Sequence, residues 1–165
     1  MSAMLDFKRD FVSRSKENLC NFPREHDVTD LINYSLGLIM LPFEEFENAF
    51  EKDPLWQQPY DSVPLIKEMK EIIFRPIKGI SKKGVLEYYP KDLITFVRKF
   101  RNGLAHLHIE PRNGDRKWIA MRVYNVFPQT KEIDFDFELS KEQLRHFAIY
   151  IANIHLNGLK TTSTA

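Results

Sequence analysis

Three side chains suited to proton transfer and phosphate binding, Arg101, Asn102 and His106, lie within six residues of one another. Asn102 and His106 are four residues apart, so on a helix they point the same way about one turn apart, and Arg101 is offset by about 100°. Histidine titrates near neutrality and exchanges protons, arginine holds a phosphate with its planar fork, and asparagine orients either partner. The spacing therefore predicts three polar groups that edge one groove.

RNA cleavage without a metal ion needs such groups: a base for the ribose 2′-OH, an acid for the leaving oxygen and cationic support for the phosphorane. One histidine serves only one proton-transfer role at a time, so a second copy from a symmetry mate would supply the other. The alternative is structural, a histidine near the negative end of a helix dipole beside a surface arginine. Gly103 weakens the helix by about 1 kcal/mol relative to alanine, which indicates close approach of another backbone or a ligand.

Residues near this segment could contact RNA, but they do not complete a metal site. His106 and His108 resemble a metal pair, yet no cysteine and no helical histidine or glutamate at ligand spacing accompanies them, so no metal and no cofactor is expected. We expect His108 to flank the groove. Basic residues are frequent from Arg75 to Arg101, and they form either an RNA-binding surface or a solvated face. The candidates for RNA contact are Arg98, Lys99, His108, Lys82 and Lys83.

The elements that position the segment are predicted to be mostly helical, because apolar residues recur at steps of three and four. Pro42 predicts a kink after the second helix. Ser140 and Gln143 form a capping-box pattern at the start of the last helix, and Asn157-Gly158 predicts its end. The predicted helices are 4–21, 28–41, 63–74, one that begins near 91 and carries the motif, and one that begins near 140.

Between the motif helix and the last helix, two strands are predicted over 118–127 and 133–139. The second alternates strictly between apolar and acidic residues, which predicts one packed face and one wet, acidic face. The prolines and glycines of 75–90 predict an exposed basic loop. The expected fold is mainly α: a bundle of four or five helices with an inserted β-hairpin, about 116–139, before the last helix. Residues 1–159 are expected to form a single domain, and 160–165 a disordered tail.

Composition limits the class of protein. The 165 residues are 43% hydrophobic and 28% charged with a net charge of +1, which excludes a disordered chain and a surface coated with positive charge. Cys20 is the only cysteine, so no intramolecular disulfide forms and a cytoplasmic location is expected. No apolar run approaches the roughly 20 residues that span a bilayer, so no membrane partner is expected.

The segment Arg101-Asn102-x-x-x-His106, late in a helix of a small helical protein, resembles the HEPN domain (higher eukaryotes and prokaryotes nucleotide-binding). Its signature is an arginine, usually followed by a polar residue, with a histidine four to six residues beyond. The resemblance spans 4–156, although its specific part is these six residues. Residues 31–46 also look like small plasmid- and phage-defence-associated members.

This resemblance implies a homodimer whose two motifs face each other to form a metal-independent endoribonuclease, frequently a toxin or defence effector. Arg101 and His106 would be catalytic and Asn102 would orient them. RNA would be the substrate, and an antitoxin or regulatory protein a further partner. The alternative is a catalytically silent module that uses the same groove to bind RNA or a protein. The basic segment 75–90 and the hairpin depart from the plain family bundle.

Overall fold

The computed structural model describes residues 3–21, 30–40, 53–75, 77–80, 86–88, 91–114 and 117–162. The chain divides into two compact units, one made of Met1–Glu45 with Leu144–Ala165, and the other of Phe46–Gln143. The expectation of one domain over 1–159 with a disordered tail stays a prediction.

The first unit is helical and contains α1 (Ala3–Asn21), α2 (30–40) and most of α6 (Lys141–Thr162). The Arg145 guanidinium on α6 donates a hydrogen bond to the Cys20 carbonyl at the end of α1, 2.9 Å away. Gly37 of α2 lies against the Phe11 ring of α1, where a Cβ would be 3.4 Å from the ring. The helices predicted over 4–21 and within 28–41 are thus confirmed in the described residues, whereas the expected kink at Pro42 lies outside them.

The last helix begins as predicted but ends later. The backbone N–H of Ser140 donates to the Gln143 side-chain oxygen at 2.7 Å, and the Gln143 N–H donates to the Ser140 hydroxyl at 3.2 Å, which is the predicted capping box. Helix α6 then continues through Gly158 to Thr162, so the predicted stop at Asn157-Gly158 is wrong. Among the residues described, no helix is long and apolar enough to cross a membrane.

The second unit combines short helices with strands. Its four-stranded sheet has the order β1-β6-β5-β4, every neighbouring pair is antiparallel, and β2 and β3 form a separate two-stranded sheet. The elements in chain order are α3 (Pro54–Gln57), a 3-10 turn (Tyr60–Ser62), α4 (Pro64–Lys67), β1 (Lys70–Phe74), β2 (Ile77–Ile80), β3 (Leu86–Tyr88), α5 (Leu93–Ala105), β4 (Ile109–Gly114), β5 (Lys117–Val126) and β6 (Ile133–Ser140).

The expected helical bundle with one inserted hairpin is therefore wrong, because the protein is a mixed α/β fold with a four-stranded antiparallel sheet. The two strands of the predicted hairpin are confirmed as β5 and β6, but β1 and β4 extend the sheet on both sides. The helix predicted over 63–74 lasts one turn, and its last five residues form strand β1, where Ile72 is 44% exposed. The predicted loop 75–90 contains β2 and β3. Pro111 is accommodated because β4 is an edge strand, where a missing N–H leaves no ladder bond unmade.

Helix α5 packs its apolar side on this sheet. The Asp92 carboxylate accepts a hydrogen bond from the Thr95 N–H at 2.9 Å and so starts the helix at Leu93, close to the predicted start. The Phe96 ring then meets the rings of Phe137 and Phe135 edge-on at centroid distances of 4.9 and 5.1 Å. Nine of the 13 residues of α5 are buried, so the sheet fixes the orientation of the helix that carries the motif.

The prediction of a solvent-exposed acidic face on β6 is wrong for two of its residues. Asp134 is fully buried and Asp136 is 1% exposed. The register between β5 and β6 shifts after Asn125, so Asp134 is an extra residue that breaks the strict alternation. The Lys99 ammonium on α5 lies 2.5 Å from the Asp134 carboxylate, and the Asn125 amide donates a further hydrogen bond at 2.7 Å. Burial of the carboxylate is thereby compensated by an ion pair.

Candidate functional site

The residues of α5 and its C-terminal cap that are not buried form one stripe along the helix. Their positions follow the spacing i, i+3, i+4, i+7 and i+8 of one helix face. Arg101 and Asn102 are half-buried, and His106 is exposed. The members of this motif stripe are Arg98, Arg101, Asn102, Ala105 and His106. The structure thus brings the three predicted catalytic residues to the side of α5 that faces away from its buried side.

A tight cap fixes the backbone at His106. The His106 N–H still donates to the Asn102 carbonyl at 3.0 Å, so the histidine lies one turn beyond the asparagine. The Leu107 N–H donates to the Leu104 carbonyl at 3.1 Å, and the His108 N–H to the Gly103 carbonyl at 2.8 Å. This is the Schellman arrangement, which normally places glycine in the left-handed position. Here Leu107 occupies it, with φ of 55° and 78% of its surface exposed.

Gly103 lets α5 approach strand β5. A Cβ on Gly103 would lie 2.6 Å from the Tyr124 carbonyl oxygen and 2.8 Å from a methyl group of Val123. Both distances are shorter than van der Waals contact, so only glycine allows this separation of helix and strand. The predicted close approach at Gly103 is confirmed, and the approaching group is the backbone of β5.

His108 extends the site from the motif stripe to β5. Its ring stacks on Tyr124 with centroids 5.0 Å apart and an interplanar angle of 11°, and it lies 5.8 Å from the His106 ring at 37°. The Arg122 guanidinium lies over the same tyrosine, 5.0 Å from the ring centroid. The structure thus places His108 beside His106, and the expectation that it flanks an RNA-binding groove stays a prediction. Tyr124 was missed in the sequence because the cross-strand neighbour of His108 is defined only once β4 pairs with β5.

The remaining residues predicted to contact RNA have different surroundings. Arg98 is half-buried and belongs to the motif stripe. Lys99 is 5% exposed and paired with Asp134, which places its ammonium out of reach of RNA. Lys82 and Lys83 lie outside the described residues. Among the described residues of this segment, Lys99 is therefore committed to a buried ion pair, and the RNA contact of Arg98 stays a prediction.

Paired charges cover the face of the sheet that carries Arg122. The Arg122 guanidinium donates to both Asp136 oxygens at 2.8 and 2.6 Å and to Glu110 at 2.9 Å. The Asp136 hydrogen bonds are the largest contribution that raises the pKa of Arg122, so this arginine keeps its charge.

On the same face, the Arg112 guanidinium donates to Glu138 at 2.8 Å. This hydrogen bond, with the charge of Lys70, lowers the pKa of the Glu138 carboxyl. The six charged side chains in these two groups carry three positive and three negative charges, so the charges within the groups balance. The signal in the sequence was the pair of charges two residues apart on β4, Glu110 and Arg112, which the strand places on one face.

No three histidine, cysteine, aspartate or glutamate side chains come together in the described part of the chain in a way that would hold a metal ion. His106 and His108 are neighbours, but no third such ligand joins them there.

A family model described as HEPN pEK499 p136 matches residues 1–161 of the chain. The chain belongs to this HEPN family. The resemblance inferred from the motif is thereby confirmed, and HEPN membership points to a nuclease or RNA-binding role. HEPN domains commonly bind RNA and form dimers. No curated protein and no solved structure matches the chain.

Proposed function

We propose that this HEPN protein is a metal-independent endoribonuclease whose active site is completed by a second copy of the chain. The observation that carries the proposal is the motif stripe: Arg101, Asn102 and His106 occupy the side of α5 that is not buried, although most of the helix is. A histidine that only packs in the core would lie on the other side of the helix, and the alternative of a helix-end histidine near the dipole is separated from catalysis by His106→Ala. The exposed position of His106 at a fixed backbone suits a group that meets a substrate.

In the proposed reaction, one His106 imidazole accepts the proton of a ribose 2′-OH, and the freed oxygen attacks the adjacent phosphorus. The bond from phosphorus to the 5′ oxygen breaks, and the second copy's histidine donates a proton to that oxygen. Arg101 stabilises the added negative charge on the phosphate oxygens, and Asn102 orients the imidazole or the phosphate. The products carry a 2′,3′-cyclic phosphate and a 5′-OH.

The test is incubation of purified protein with mixed RNA in EDTA, followed by analysis of the product ends. Wild type is expected to leave 2′,3′-cyclic phosphates, and His106→Ala to lose at least about 100-fold in rate, as expected when a proton-transfer group is removed. His146→Ala is the matched control, because His146 is an exposed histidine on α6 outside the motif stripe. RNA binding without cleavage by the wild type would contradict the enzyme and identify a silent binding module.

The composite site requires a second experiment. Dimers with one wild-type and one His106→Ala subunit can be isolated with two different affinity tags. If each chain cleaved alone, the mixed dimer would keep half of the wild-type rate. We expect less than a tenth, because one of the two proton-transfer groups is missing in every site. A mixed dimer at half rate would contradict the shared site but leave the ribonuclease intact.

The proposed biological role is that of a toxin or defence effector that acts in the cytoplasm and is held in check by an antitoxin or regulatory protein. Induced expression of the wild type is then expected to stop growth and to degrade cellular RNA. His106→Ala, made at the same level, is expected to permit growth. Equal growth of both strains, with equal amounts of folded protein, would contradict the toxin.

A further inference from the structure

His108 is a poor choice of residue if its only role is to fill space. Its Nδ1 atom is buried and has no hydrogen-bond partner among the residues that the structure describes. A buried polar atom without a partner destabilises the folded state. Phenylalanine would stack on Tyr124 equally well and avoid that penalty. The imidazole therefore calls for a role that its nitrogen atoms perform.

The ring of His108 is held on one side of the site by several contacts. Its plane lies nearly parallel to Tyr124, and the Tyr124 N–H donates to the His108 carbonyl at 3.1 Å, so ring and backbone are both fixed. The left-handed turn at Leu107 separates it from His106, and the two imidazoles come within 5.8 Å, a distance typical of interacting rings.

Behind Tyr124 the contacts continue into the buried part of the sheet. Arg122 lies over the tyrosine ring, and its guanidinium is bound at two points by Asp136, which is 1% exposed. A guanidinium that makes two hydrogen bonds to one carboxylate loses much of its rotational freedom. Successive contacts thus lead from buried Asp136 through Arg122, Tyr124 and His108 to the side of His106.

We infer that His108 is a second histidine that contacts RNA, through a ribose-phosphate group next to the scissile bond, and that Tyr124 and Arg122 are positioning residues for its imidazole. The contact uses the Nε2 atom, since Nδ1 is buried. The inference rests on the proposed ribonuclease function, because it assigns a substrate contact beside His106. It differs from a role in packing because it requires a nitrogen atom rather than a ring.

His108→Phe separates these two roles, since it keeps an aromatic ring on Tyr124 and removes both nitrogens. We expect its melting temperature to be at least that of the wild type and its cleavage rate to fall about tenfold, the factor of one neutral hydrogen bond. Cleavage at the wild-type rate would overturn the inference and leave His108 as a packing residue.

Two variants of Tyr124 test the positioning. Tyr124→Phe keeps the ring and is expected to preserve cleavage at near the wild-type rate, whereas Tyr124→Leu is expected to lower it about as far as His108→Phe. An equal loss in both variants would overturn the role of the ring. The circular dichroism melting curve of each variant shows whether a lower cleavage rate results from loss of folding.

If the wild type fails to cleave RNA, the proposed enzyme fails while the inference remains testable. The readout is then the affinity for a fluorescently labelled single-stranded RNA, measured by anisotropy. A roughly tenfold weaker Kd for His108→Phe would support a contact with RNA. An unchanged Kd would overturn it.

Discussion

The inward side of helix α5 is apolar except for Thr95 and Lys99, whereas its outward side carries the motif stripe with Arg98, Arg101, Asn102 and His106. On the inward side the Lys99 ammonium stabilises the fold, because it neutralises the buried Asp134 carboxylate. On the outward side Arg98, Arg101 and Asn102 are half-buried and His106 is exposed. Residue type alone does not separate these roles, because Lys99 and Arg98 are adjacent cations.

We expect substitutions on the inward side of α5 to alter the free energy of unfolding and substitutions on its outward side to alter activity. The largest stability effect is expected for Lys99→Met, which leaves the buried Asp134 carboxylate without its cation. Breaking a buried ion pair on one side typically costs about 3–5 kcal/mol. Urea unfolding measures this loss.

Lys91→Met is the matched control for that change. The Lys91 ammonium lies 3.9 Å from Glu71 with 54% of its side chain exposed, and such surface pairs contribute about 0–1 kcal/mol. If both variants lost the same unfolding free energy, burial would not determine whether a lysine stabilises this fold, and the expected difference between the two sides would be contradicted.

A smaller loss is expected for Gly103→Ala, because the added methyl group meets the Tyr124 carbonyl at 2.6 Å. Overpacking of this kind costs about 1–3 kcal/mol. Gly37→Ala in α2 is the control, since its methyl group would be 3.4 Å from the Phe11 ring and alanine favours a helix. An unchanged midpoint of urea unfolding for Gly103→Ala would show that the contact with β5 yields readily.

The smallest effect, of opposite sign, is expected for Leu107→Gly. Glycine relieves the left-handed backbone, at φ of 55°, and the gain is reduced by the greater freedom of glycine in the unfolded chain. We expect the unfolding free energy to rise by about 0.5 kcal/mol. Lys131→Gly, at φ of 60° in the turn before β6, should change it in the same direction. A loss of stability in both variants would show that neither position is strained.

The sequence predicts the elements that depend on local patterns. Helices α1, α5 and α6 follow from apolar periodicity, the capping box at Ser140 from two side chains three residues apart, and the motif stripe from helical spacing. Strands β5 and β6 follow from their apolar residues and the turn between them.

The rest depends on pairing between distant segments. The sequence of β1 alone predicts a helix, and this segment forms a strand because it pairs with β6. Strand β4 contains a proline, which is tolerated because β4 is an edge strand. Burial of Asp134 requires the irregular register of β6 and a lysine 35 residues earlier in the chain. The stack of His108 on Tyr124 likewise exists only once β4 pairs with β5.

The most direct test of the account measures two properties of one variant, His106→Ala: its rate of RNA cleavage and its free energy of unfolding in urea. We predict a loss of at least about 100-fold in rate with a change in unfolding free energy within about 0.5 kcal/mol, because the side chain is exposed and its backbone cap remains. An unchanged rate, or a loss of stability of several kcal/mol, would contradict the assignment of the outward side of α5 to catalysis.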